Sequence, residues 1–208
     1  MQANNSDPRN SNLEHLMANA RRGAENNMRD HGTVETMFTA ISPSTFLVLP
    51  GRDLKKEEDM ALYERFIRLW CVAAAATAGV LVSEVWVASP KPEGTPGGFI
   101  RPSLNPDRRE GILLSGEAMG GIFLQRFLPI QRDSAGQFTG FGPAESFPEP
   151  LAGRYSRLLP IRTPSQQQQR AALKKSAAFG RRMARRGFEV DPSQTQNRQK
   201  QPPSGQPT

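Results

Sequence analysis

Apolar residues recur with two different spacings along this chain, and those spacings predict its first elements. Apolar positions three or four residues apart predict helices over 12–30 and 54–78. Between them, residues 33–40 alternate apolar and polar side chains, and residues 45–49 form a short apolar run. The turn residues at 42–44, Ser-Pro-Ser, separate these two runs, so the stretch is predicted to be a β-hairpin.

The helix over 54–78 is predicted to be the principal core helix. Asp53 is a suitable N-cap, and Gly79 is a suitable residue to end the helix. Its wide apolar face predicts packing on the strand that follows, residues 79–89, whose β-branched content is high. The residues expected to be buried together are Leu62, Phe66, Leu69, Val82 and Trp86.

The second half of the chain predicts a Pro-rich loop, a second hairpin and an irregular segment. Five prolines in residues 89–106 predict a long surface loop. Residues 111–117 and 121–132 then read as two strands joined by a glycine turn. Residues 133–164 are rich in Gly and Pro and are predicted to lack regular structure.

This order of elements predicts an α+β fold: a mainly antiparallel sheet with one principal core helix, followed by a basic C-terminal tail that is helical or disordered. The domain runs over 13–160, after a disordered N-terminus over 1–12. The tail runs over 161–208, with a helix over 165–186, and its end is low in complexity.

Charge is distributed unevenly along the chain and separates the predicted domain from the tail. Residues 1–153 carry 15 basic and 18 acidic side chains, a net charge of −3. Residues 154–208 carry 12 basic and 2 acidic side chains, a net charge of +10. A basic segment of this kind is typical of proteins that bind polyanions.

The basic residues of the predicted tail helix are the main candidates for a binding site. Their charges would attract phosphates and release counterions, which favours nucleic acid, although an anionic membrane surface or an acidic protein groove would also fit. The candidate nucleic-acid-binding residues are Lys174, Lys175, Arg181, Arg182, Arg185 and Arg186.

A few charged residues in the predicted domain suggest an alternative, a small hydrolase-like enzyme. Glu84 lies in the middle of an apolar strand, where an unpaired carboxylate would be costly to bury. We expect Arg109 or Arg126 to pair with it, which would be a structural role. The alternative is catalytic, with Glu84, Arg109 and Glu110 acting together, and His31 assisting. Convergence of these side chains in one pocket would favour the enzyme.

Several classes of site are not indicated by the sequence. The single cysteine, Cys71, lies in an apolar run and reads as a small buried hydrophobe, so neither an intrachain disulfide nor a Cys-based zinc site is expected. No known phosphate-binding, dinucleotide-binding or metal-binding motif occurs, and we expect no cofactor and no metal.

The sequence also bears on where the protein resides. The start of the chain has no apolar leader, and the longest apolar run, residues 69–82, is shorter than the roughly 20 residues of a membrane span. We therefore expect a cytoplasmic protein without a membrane span. Its partners are expected to be nucleic acid or another polyanion, and a protein.

Two short motifs resemble those of a group of small bacterial, phage and plasmid proteins that have no established activity. The motifs are a Ser-Glu-x-Trp strand, here Ser83, Glu84 and Trp86, and a Pro-Asp-Arg-x-Glu segment, here Pro106 to Glu110. The resemblance covers residues 32–132 and omits the basic tail. It implies a shared fold and related roles for Glu84 and the charged run, and no particular chemistry.

Overall fold

The computed structural model describes residues 8–51, 54, 56–88, 105–146 and 155–190. These residues form three helices and six strands. In chain order the elements are α1 (Pro8–His31), β1 (Met37–Ile41), β2 (Phe46–Pro50), α2 (Glu57–Ala73), β3 (Ala78–Val87), β4 (Arg109–Ala118), β5 (Ile122–Arg132), β6 (Phe138–Phe141) and α3 (Gln166–Arg185).

The six strands form one sheet in the order β2-β1-β3-β4-β5-β6, and every neighbouring pair is antiparallel. The predicted α+β class with a mainly antiparallel sheet is therefore confirmed. Both predicted hairpins are present, as β1–β2 and β4–β5. The strand β6, which pairs with β5 at one edge of the sheet, was not predicted, because the glycines and prolines around it obscure its short apolar pattern.

Helices cover the sheet from both sides. The helix α1 packs against β3 and β4 on one side, and its buried residues join a cluster that includes Val80, Val82 and Leu114. On the opposite side, α2 packs on α3, and the buried residues of both belong to a second cluster with Phe38 and Leu81. The prediction of one principal core helix thus accounts for only one of two helical layers.

The strand β3 alternates between these two layers, which corrects part of the predicted core. Leu62 and Phe66 of α2 are buried together with Leu81, the β3 residue that faces α2. Val82 points to the other side and is buried against α1, and Trp86, further along that side, is 40% exposed. Leu69 is half-buried. Val82 and Trp86, the two strand residues expected to pack on α2, share one side of β3, but that side faces α1.

The helix boundaries differ from the predicted ones for identifiable reasons. The helix α1 begins at Pro8, four residues before the expected start, within the stretch expected to be disordered. Asp53, the expected N-cap of α2, lies outside the described residues, as does most of the Pro-rich loop. At its other end α2 stops at Ala73, because Ala75 adopts a positive φ of 50° and Ala76 N–H donates to the Cys71 carbonyl.

Gly79, expected to end α2, instead lies inside β3 opposite Ala40. A Cβ on Gly79 would come 2.9 Å from the ring of Phe38, so the glycine allows the close approach of this ring to the sheet.

The helix α3 is part of the packed structure and does not extend freely from it. A capping box starts the helix: Gln168 N–H donates to Ser165 Oγ at 3.3 Å, and Ser165 N–H donates to Gln168 Oε1 at 2.8 Å. One stripe of the helix is buried, namely Ala172, Ser176, Gly180 and Met183. The boundary expected at residue 160 therefore separates segments that pack together.

Candidate polyanion interface

The outer surface of α3 carries a row of exposed cations. Its buried residues recur at helical spacing, so they occupy one side of the helix. With about 100° of rotation per residue, the basic residues fall on the opposite side. All six are exposed: Arg170, Lys174, Lys175, Arg181, Arg182 and Arg185. Arg170 was not among the candidates from the sequence, although the same spacing places it on this surface.

No acidic residue offsets these charges within the helix, because residues 166–185 contain no Asp or Glu. Among the described residues, none of the six cations forms an ion pair. The arrangement is a one-sided array of positive charge on a rigid support, and it can contact several anionic groups at once. We refer to these six residues as the basic face of α3.

Arg186 has a different role from the other candidates. Its guanidinium donates to Glu58 Oε2 at 2.8 Å and also to a carboxylate oxygen of Asp59. Both partners lie in the first turn of α2. These ion pairs raise the pKa of Arg186, so it stays charged, and they direct its side chain toward α2 rather than outward. Arg186 therefore fixes the C-terminal end of α3 in place.

Apolar contacts hold the same end of the helix. Met183 is fully buried, and Phe188, just beyond the helix, is 7% exposed. The ring of Phe188 lies 6.3 Å from that of Tyr63, whose hydroxyl donates to the Leu49 carbonyl at 2.6 Å. Residues after the helix thus connect α3 to α2 and through it to the sheet.

The segment that leads into α3 is held by two ionisable side chains from different elements. Arg68 of α2 donates to the carbonyls of Ser156, at 2.8 Å, and of Arg157. Glu117 of β4 accepts a hydrogen bond from Leu159 N–H at 3.0 Å. Arg157, whose carbonyl accepts from Arg68, adopts a positive φ of 57° two residues before Leu159. The positions of both ends of α3 are therefore set by contacts with the rest of the domain.

Glu117 is the most unusual ionisable residue of this region. It is only 7% exposed, and one carboxylate oxygen, Oε1, has no hydrogen-bond partner among the described residues. Burial raises the pKa of Glu117, and backbone N–H groups of residues 157–159 together with Arg68 offset part of that rise. Glu117 is not among the residues predicted from the sequence, because a glutamate beside a glycine turn is typical of a solvated hairpin end.

The structure does not bring together the four residues considered for catalysis. Glu84 and Glu110 lie on the side of the sheet that faces α1, since their strand neighbour Ile112 is buried in that cluster. Arg109 lies on the opposite side, where its guanidinium is 5.4 Å from the centre of the Phe127 ring. His31 is exposed at the end of α1. The sheet thus separates Arg109 from the two carboxylates.

Each of these charged residues has a structural partner, and the expected pairing of Glu84 is wrong. Glu84 accepts from Thr33 Oγ1 at 2.9 Å and from Val34 N–H at 3.2 Å. The arginines expected to pair with it bind other carboxylates. Arg109 contacts Glu145 at 2.7 and 3.0 Å, and Arg126 contacts Glu14 at 2.9 and 3.0 Å.

Glu110 also has its own partner. Arg132 donates to both of its carboxylate oxygens, at 2.9 and 3.2 Å. These pairs connect neighbouring strands and segments, which is the structural role that the sequence analysis weighed against catalysis.

Cys71 behaves as expected of a small buried apolar residue. It is fully buried in α2, and burial raises the pKa of its thiol well above the ordinary value. Across the described ranges, no group of three or more His, Cys, Asp and Glu residues is arranged to hold a metal ion. In the same part of the chain, no helix has the length and apolarity needed to cross a membrane.

Comparisons with models of protein families, with curated proteins and with solved structures found no match for this chain. The resemblance to small bacterial, phage and plasmid proteins therefore stays a prediction. It rests on Ser83, Glu84, Trp86 and residues 106–110. The proposal for function therefore rests on the geometry of the basic face of α3.

Proposed function

We propose that this chain is a non-enzymatic accessory or binding protein of the cytoplasm, and that it engages nucleic acid through the basic face of α3. One observation carries the proposal: six exposed cations lie opposite the buried stripe of a helix that contains no acid. Such an array binds a chain of phosphates by releasing the counterions that the phosphates hold. A protein partner remains part of this proposal, since accessory proteins commonly join two macromolecules.

The rigid attachment of α3 supports binding rather than simple solubilisation. A solvated basic segment needs no fixed geometry, whereas α3 is capped at its start and held at its end by Arg186, Met183 and Phe188. Preordering of the cations lowers the entropy lost on binding, because the helix is already formed before it meets the ligand.

Two matched double variants test the proposal. Arg181 and Arg182 are neighbouring exposed arginines on α3, and Arg21 and Arg22 are neighbouring exposed arginines on α1, across the sheet. R181Q/R182Q and R21Q/R22Q lower the net charge equally. We expect the α3 variant to weaken binding to labelled nucleic acid at low salt, and the α1 variant to bind like the unaltered protein.

The alternative ligands are part of the same titration. Vesicles with anionic lipids and a poly-glutamate peptide serve as competitors in the same buffer. Absence of nucleic acid binding at low salt, or tighter binding to either competitor, would overturn the proposal. An equal loss in both double variants would show that net charge alone, and not the basic face of α3, attracts the nucleic acid.

A further inference from the structure

Five of the six cations of α3 form two flanks; between the flanks lie two alanines in the middle of the helix, with Gln167 and Arg185 toward its two ends. At about 100° per residue, Arg170, Lys174 and Arg181 fall on one flank of the outer surface. Lys175 and Arg182 fall on the other flank, roughly 100° further around the helix axis. Both alanines between the flanks, Ala171 and Ala178, are exposed.

The two flanks match the separation of phosphate strands across a groove. A helix with its side chains is roughly 10–12 Å across, so two rows about 100° apart around its axis lie roughly 8–9 Å apart, and the long side chains of Lys and Arg extend that separation. The major groove of B-form DNA is about 12 Å wide, and a helix fits inside it. Along the axis, Arg170 to Arg185 spans roughly 22 Å.

Small residues at the middle of the apex allow the central turns of the helix to approach the floor of such a groove. A methyl group is all that Ala171 and Ala178 present there, whereas a long side chain would hold the helix away. The cations on either side would then reach the two backbones. Base recognition is not implied, because the central part of the apex presents only methyl groups, which form no hydrogen bonds to base edges.

Single strands and RNA duplexes fit this surface less well. Proteins that bind single strands usually stack bases on aromatic side chains. The only aromatic residue of α3, Phe179, packs partly buried against the core cluster rather than on the outer surface. An RNA duplex has a deep and narrow major groove that protein side chains cannot enter.

We infer that the ligand of α3 is double-stranded DNA, with the helix seated in the major groove, Ala171 and Ala178 toward its floor and the two cation flanks on opposite backbones. This inference rests on the proposed function and narrows its ligand. Phosphate contacts dominate, so the binding has little sequence preference.

Three labelled ligands of one sequence test the inference: a DNA duplex, an RNA duplex and single-stranded DNA, each titrated at the same salt concentration. The two duplexes carry similar charge, so the RNA duplex controls for electrostatic attraction alone. We expect the DNA duplex to bind several-fold tighter than either of the others. Equal or tighter binding of the RNA duplex or the single strand would overturn the groove geometry while leaving the proposed function intact.

A pair of single substitutions tests the seating of the helix. Ala178→Gln places a longer uncharged side chain at the apex, and Ala184→Gln places the same side chain at an exposed position outside both flanks. We expect the first to weaken binding to the DNA duplex several-fold and the second to leave it unchanged. Equal affinities for the two variants would overturn the inference, whereas absence of binding to every ligand by the unaltered protein would overturn the proposed function itself.

Discussion

At the scale of single residues, the buried and half-buried carboxylates of the domain take their hydrogen-bond partners from distant parts of the chain. Cys71 was expected to be buried and unreactive, and its environment confirms this. Glu84 was recognised as an anomaly, but its partners Thr33 and Val34 could not be found, because they come from a loop 50 residues earlier in the chain. Nothing local to Glu117 signals that residues 157–159 fold over it.

Glu117 should make the stability of the protein depend on pH in a specific direction. Burial raises its folded-state pKa above the ordinary value of about 4.3 in the unfolded chain. Below the unfolded value both states are protonated, so the group has no effect. As the pH rises through the window up to the folded pKa, the folded state binds more protons than the unfolded state, so stability falls.

Glu117→Gln removes this titration and keeps an acceptor for Leu159 N–H. We therefore expect the free energy of unfolding of the variant to increase relative to that of the unaltered protein as the pH rises from 4 to 8, so that the variant becomes the relatively more stable of the two. Urea unfolding at several pH values measures it. Glu84→Gln is the control, since Glu84 is more exposed. If the difference in free energy of unfolding between Glu117→Gln and the unaltered protein stays constant with pH, the carboxylate of Glu117 is well solvated.

At the scale of elements, periodicity predicted five of the six strands of the described sheet and the positions of α1 and α2, and it failed where tertiary contacts decide. The alternation of β3 was readable, yet a fully apolar first half gives no indication of which side faces which helix. The burial of α1 was underestimated, because its apolar residues are few and widely spaced. The apolar side of α3 is thin in the sequence, yet it packs, because its buried Ala, Ser and Gly residues allow α2 to approach closely.

Phe66 tests the packing of α2 on the sheet. It is fully buried in the cluster that α2 and α3 share with the sheet. Phe66→Ala should lower the free energy of unfolding by about 3–5 kcal/mol, through lost burial and the cavity left behind. Leu69→Ala is the control on the same helix, and it should cost less because Leu69 is only half-buried. Denaturant unfolding measures the loss in free energy of unfolding for both variants. An equal loss would contradict this placement of α2.

At the scale of the whole molecule, the basic helix and the domain are one packed unit. The sequence suggested that residues 1–160 would fold without the tail, because the apolar side of the predicted tail helix is too thin to add much core. The buried positions of Met183 and Phe188 lead to the opposite expectation. Composition alone could not show this, since only a few apolar residues of a mostly polar segment make the contact.

Two truncations separate these expectations. A chain that ends at residue 160 lacks α3 and Phe188, and we expect it to unfold at a clearly lower temperature than the full chain. A chain that ends at residue 190 keeps both, and residues 191–208 contain no apolar side chain, so we expect its unfolding temperature to be close to that of the full chain. Thermal unfolding measures both. A normal melting temperature for the shorter chain would show that α3 adds little to the core.

The salt dependence of DNA binding tests the central claim most directly. The logarithm of affinity should fall linearly with the logarithm of salt concentration, with a slope of about −0.9 for each phosphate that a cation neutralises. We predict a steep slope for the full chain and for R21Q/R22Q. For R181Q/R182Q we predict weaker binding and a slope reduced by up to about 1.8, since two contacts are lost. A slope near zero, or the same slope for all three proteins, would contradict the claim that the basic face of α3 binds the phosphate backbone.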